Sequence, residues 1–192
     1  MKLGSFYIRN GLGCLILCIG VACFVSGCCS VRDFGPNISH FDSAAPYRLL
    51  LGRGSGWEGL DTIEIRNDGF FIAYRRSSPG QTSGSPWEIA KGRLPEQSID
   101  KISRLVFGKK FFRLRNKYET DARDGVQWVV LLQQGSDRFC VYCNNQFPPA
   151  VRRLAIQIDK ELTDVFAGSL VFSPVPGSEG RGHEKELWDC VK

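Results

Sequence analysis

Polar and apolar residues alternate most clearly over Thr62-Ile63-Glu64-Ile65-Arg66. The alternation reaches Asn67-Asp68-Gly69 and resumes as the aromatic and β-branched run Phe70 to Arg75. Glycine tolerates the positive φ of a tight turn, so this pattern predicts a β-hairpin. Gly125 to Gln134 and Arg138 to Cys143, joined by Gly135-Ser136-Asp137, predict a second hairpin. Tyr47 to Leu51 and Trp87 to Lys91 read as further short strands. The glycine-rich run 52–59 breaks the chain after the first of these, and the Ser, Gly and Pro-rich run 77–86 forms a loop before the other.

The period lengthens after each hairpin. Pro95 sets a helix start, because its missing N–H would be unpaired there anyway, and Ile99, Ile102, Leu105 and Val106 repeat at helical spacing until Gly108. Pro148 and Pro149 open a second helix, whose Val151, Leu154, Ala155, Ile158, Leu162 and Val165 form one apolar stripe. Between them, Lys109 to Tyr118 alternates partly and reads as an extended segment with Arg113, Arg115 and Lys117 on a wet face. Hairpins followed by helices predict an α+β fold, an antiparallel sheet with two helices packed on one face. The domain spans 47–172, and the Pro, Gly and charged residues of 173–192 read as a flexible tail.

The first forty residues follow a different rule. Lys2 and Arg9 precede any acidic residue, and the apolar run Leu12 to Val25 follows, shorter than the roughly 20 residues of a membrane span. Val25-Ser26-Gly27-Cys28 closes that run and resembles the lipobox of bacterial lipoproteins. The resemblance implies a signal peptide over 1–27, acylation of Cys28 as the first mature residue, and a tether over 28–46. Because Cys29 is not Asp, resemblance to diderm lipoproteins implies the outer rather than the inner membrane. An ordinary secretory signal cut near Gly27, or an uncleaved N-terminal helix, are the competing readings.

A second resemblance covers roughly residues 47 to 162. Ile63 to Tyr74 with its Asn-Asp-Gly turn, the helix after Pro95, Phe111-Phe112-Arg113-Leu114 with Tyr118, and the closing helix with Leu154 and Ile158 carry it. They resemble a family of small exported bacterial domains of unknown function. The resemblance implies fold and export, and no activity or site.

Charge and cysteines narrow the chemistry. Loss of Lys2 and Arg9 with the signal lowers the net charge from +5 to about +3, too mild to argue for nucleic acid. About 165 mature residues fit one domain with a sizeable core. Of eight cysteines, Cys29, Cys140, Cys143 and Cys190 remain after the signal and the anchor are set aside. Cys140-Val141-Tyr142-Cys143 has redox or metal spacing, but residues three apart on a strand point to opposite faces. Packed thiols, or one of the pair bridged to Cys190, fit better. A Cys143–Cys190 bridge would close a loop of about 47 residues and stabilise by about 4 kcal/mol.

Other motifs weigh toward structural readings. Gly54-Ser55-Gly56-Trp57-Glu58-Gly59 matches a phosphate-binding pattern, but a strand rather than a helix follows it. Arg113, Arg115 and Lys117 are a candidate stripe for an anionic surface, and equally the charges that protect an exposed edge strand. Glu119, Asp121 and Asp124 miss calcium-loop spacing, and His40 and His183 fall in the tether and the tail. Trp57 and Trp87 sit in or beside loops and are candidates for a binding surface, while Trp128 alternates into the sheet.

Together these features predict a lipid-anchored envelope protein, facing the periplasm or exterior, that acts as a non-enzymatic binding or structural module. Its partners would be the membrane, through lipid on Cys28, and an envelope protein or glycan; no cofactor or metal is expected. A carboxylate-based envelope hydrolase is the alternative, favoured if loops 52–61 and 77–86 meet Glu119, Asp121 or Asp124 in one cleft. A thiol-redox protein ranks behind it.

Overall fold

A computed structural model describes residues 41–55, 58–77, 86–121, 125–167, 169–175 and 182–192. Eight strands make one sheet: β1 (Arg48–Ser55), β2 (Gly59–Arg66), β3 (Phe70–Arg76), β4 (Trp87–Arg93), β5 (Lys117–Glu119), β6 (Val126–Gln134), β7 (Asp137–Asn144) and β8 (Ser173–Pro174). Their spatial order is β5-β7-β6-β1-β2-β3-β4-β8, antiparallel throughout except for β5 on β7. Helices α1 (Glu96–Val106) and α3 (Pro149–Phe166) pack on one face, with the single turn α2 (Lys109–Phe112) beside them. The fold is therefore α+β.

Alternation in β2 sends Ile63 and Ile65 into the core beneath α1 and α3, with Leu49, Leu51, Phe71, Val130 and Val141. Thr62 and Glu64 point to the other face, yet they are only 3 % and 1 % exposed. The second face is covered too. Residues 173–192, expected to be a tail, supply β8 and the helix α4 (Glu184–Val191), which lies over β1, β2, β6 and β7. Leu187 of α4 packs with Leu50, Leu60, Val129, Leu131 and Tyr142 in a smaller core. Cover on both faces explains why Val129, Val130, Leu131 and Leu132 can all be apolar in one strand.

Three local expectations change. The glycine-rich run does not break the first strand: Gly52 to Ser55 continue β1 and pair with β2 and β6. A Cβ on Gly54 would stand 2.0 Å from the Gly59 carbonyl oxygen, so glycine lets the two strands close up. Lys109 to Tyr118 is not one extended segment. Phe111 and Phe112 are both buried against Phe139, and adjacent residues cannot both face one side of a strand, so a helical turn forms before the short β5. The expected tether also ends earlier. Phe41 packs on Phe112 at 5.3 Å, and Gln134 binds the backbone of Asp42 and Ala45, which fixes 41–46 to the domain.

Candidate functional site

Most residues singled out by the sequence do not come together. Cys28, Trp57, His40 and Asp124 lie outside the described residues. Trp87 is 8 % exposed and belongs to the packed interior, because the chain carrying β8 crosses it and Val175 donates its N–H to the Trp87 carbonyl; it is no free binding surface. Arg113 and Arg115 are exposed in the connection between α2 and β5, and only Lys117 sits in a strand, paired with Glu119 at 2.9 Å. The expected three-charge stripe along one strand is therefore absent. Glu119 and Asp121 lie at the β5 edge, three strand spacings, or about 14 Å, from the β1–β2 turn. The strand that leads into the β3–β4 connection lies about 24 Å away on the same count, and residues 56–57 and 78–85 of the two loops lie outside the described residues.

One of the Cys-x-x-Cys pair is bridged to Cys190 as expected, but it is Cys140 rather than Cys143. Cys140 joins Cys190, and Cys143 is a free thiol at zero exposure. The strand explains it: Cys143 faces the α1–α3 core, whereas Cys140 shares a face with α4. The two sulfurs of the Cys-x-x-Cys motif lie on opposite sides of the sheet. Burial pushes the Cys143 thiol up to about 12, which keeps it protonated and unreactive.

On the α4 face the structure assembles a charged cluster from residues far apart in sequence. Arg48 on β1 and Arg66 on β2 are cross-strand partners, and both reach the Glu64 carboxylate. Arg66 Nε donates to Glu64 Oε1 at 2.6 Å, and Arg48 Nη1 stands 3.5 Å from Oε2. His183 Nε2 approaches the same Oε2 at 3.2 Å without hydrogen-bond alignment. Glu186 of α4 pairs with Arg48 and lies 3.8 Å from Arg138 on β7. A carboxylate this buried needs such partners, since desolvating a lone ion costs several kcal/mol.

Local features of α4 aim it at this cluster. Gly182 adopts φ +49, and a Cβ there would stand 2.4 Å from the Tyr74 ring; glycine turns the chain tightly over that ring. His183 packs edge-on against Tyr74 at 5.7 Å. Glu184 and Glu186 occupy the first turn, where the helix dipole favours negative charge, and Cys190 fastens the last turn to β7. Burial holds the His183 imidazole below its ordinary value and outweighs the opposing pull of Glu64, so the ring is neutral near pH 7.

Two depressions lie where the chain enters the sheet, one on the α1 side and one beside the cluster. One, of about 490 Å³, is lined by Tyr47, Asn67, Glu96, Asp100, Ser103 and Arg104. Its floor carries a 2.6 Å hydrogen bond between the Tyr47 and Ser103 hydroxyls. The other, of about 350 Å³, is lined by Arg48, Arg66, Asn67, Asp68, Gln133 and Pro46, among others. Among the described residues no group of three His, Cys, Asp or Glu side chains is placed to hold a metal ion, and no helix is long and apolar enough to cross a membrane. No protein-family model matches the chain, and no curated protein matches it in sequence.

Glu64 and His183 are thus the residues whose role the sequence reading missed. Glu64 looked like the solvent side of a hairpin strand. Nothing in the local pattern announces that a distant helix will cover it.

Proposed function

We propose that the chain is a bacterial lipoprotein, held at a membrane by acyl groups on Cys28 and presenting residues 41–192 as a non-enzymatic binding module of the cell envelope. The observation that supports it best is the Cys140–Cys190 bridge, because disulfides persist in oxidising compartments such as the periplasm and cell surface. The lipobox-like Val25-Ser26-Gly27-Cys28 supplies the route there, and Cys29 points to the outer membrane. The partner is an envelope protein or a glycan.

The pairing of three of the four buried glutamates supports a binding rather than a catalytic role. Glu64 is held by Arg66 and Arg48, and Glu88 by Arg75 at 2.8 Å. Glu161 accepts from Ser98, Lys101 and Gln157. Each is neutralised by a partner instead of being left free to move a proton. Intact-mass analysis of the protein isolated from membranes tests the reading. The expected species begins at Cys28 and carries acyl mass; a chain that retains residues 1–27 overturns it.

A further inference from the structure

One end of the sheet carries a feature that the proposed anchor does not explain. Cross-strand registers align Arg138, Gln133, Arg48 and Arg66 on neighbouring strands β7, β6, β1 and β2. The row continues across the hairpin turn to Phe70, over which the Arg66 guanidinium sits at 5.2 Å, and then to Arg93, the partner of Phe70 on β4. Four guanidinium groups thus stand in one line across six strands. Three carboxylates face them: Glu64, Glu186 and Asp68, the last also accepting from the Phe70 N–H.

The donors are not all used. Arg66 gives only its Nε to Glu64, and its two terminal nitrogens have no partner among the described residues. Arg48 Nε is a buried donor without a partner beside the same 350 Å³ depression. A half-exposed guanidinium fork whose Nε is fixed by a buried carboxylate is a pre-oriented receptor for two oxygens of a tetrahedral anion.

We infer that the depression between Arg66, Arg48, Asn67 and Gln133 is a binding site for a phosphate group, with the Arg66 terminal nitrogens as its primary donors. Asn67, whose side-chain oxygen accepts from the Tyr47 N–H, leaves its amide nitrogen as a further donor. The group's source is a phospholipid headgroup or a free phosphate ester. The headgroup source rests on the lipoprotein reading: Pro46 lines the depression and lies eighteen positions along the chain from Cys28, a span of at most about 65 Å.

The test uses the full chain as isolated from the expressing cell, in a non-ionic detergent. Inorganic phosphate is titrated against chloride at matched ionic strength, with hydrogen exchange followed at 47–48 and 66–70. A saturable slowing specific to phosphate is expected, weakened about tenfold in Arg66→Gln and unchanged in Arg113→Gln. No difference between phosphate and chloride in the wild-type protein overturns the site, however the variants behave. Reconstitution into phosphatidylglycerol–phosphatidylcholine vesicles, compared with phosphatidylcholine alone, separates the sources. Protection only with phosphatidylglycerol, competed by inorganic phosphate, assigns the site to headgroups; a phosphate response in detergent without it assigns free phosphate esters. Failure of the anchor reading would appear as failure to reconstitute, leaving the detergent titration intact.

Discussion

Arg48 and Arg66 face each other across β1 and β2 and share a single carboxylate, that of Glu64, which is 1 % exposed. Two cations on one buried anion leave cationic capacity over, and α4 brings Glu186 to take part of it from Arg48. The C-terminal helix is therefore an electrostatic part of the sheet as well as its cover.

Removing the shared carboxylate should cost more than removing any surface charge. Glu64→Ala leaves two guanidinium groups without their common partner, and a loss of about 3 kcal/mol is expected in denaturant unfolding. Exposed Lys185→Ala, whose partner is Asp189 four residues on, should change stability by less than about 0.5 kcal/mol. Equal effects from the two would contradict the cluster's role.

The disulfide has a definite pattern to map. Non-reducing peptide mass analysis should find Cys140 linked to Cys190 and Cys143 unmodified by alkylating agents until the protein unfolds. The bridge spans a sequence separation of 50, for which chain entropy gives about 4 kcal/mol. Cys190→Ser should lower stability by up to that amount and speed exchange in α4 before the rest of the fold.

His183 should make stability fall on mild acidification. Its folded value is depressed, so the unfolded chain binds a proton first as pH drops. Stability is complete above the unfolded value of about 6.5, declines below it, and stops declining once the folded ring also protonates. Melting temperature measured from pH 7.5 to 5.5 should show this slope in the wild type and lose it in His183→Phe, which keeps an aromatic ring against Tyr74. A slope unchanged in the variant would assign it to other groups.

The β1–β2 contact makes a sharper steric prediction. Gly54→Ala places a methyl group 2.0 Å from a backbone oxygen that cannot swing away, and a loss of at least about 2 kcal/mol is expected. At Gly52 the nearest atom is the end of the Leu187 side chain at 2.6 Å, so Gly52→Ala should be milder and should loosen α4. Thermal unfolding of both variants ranks them.

How much of this was legible in the sequence follows from the range of each interaction. The hairpin around Gly69, the helix after Pro95 and the stripe Val151 to Ile158 rest on neighbours within a few residues, and period and turn chemistry revealed them. The single turn at Phe111 and Phe112 was missed because partial alternation of charges outweighed two adjacent aromatic residues. α4 was missed because Pro, Gly and charge dominate 173–192, while its anchoring points, Leu187, Cys190 and His183, find their partners 45 or more residues away. The arginine row was invisible for the same reason. Its members at 48, 66, 93 and 138 form no run, and only strand register aligns them.

In the proposed reading, the placement of the domain depends on the Cys28 thiol. Cells expressing the wild type and Cys28→Ala are fed an alkyne fatty acid, and the captured protein is read after membrane fractionation. The account predicts label and membrane association for the wild type and loss of the label in the variant; label retained by Cys28→Ala, or an unlabelled wild type, would contradict it.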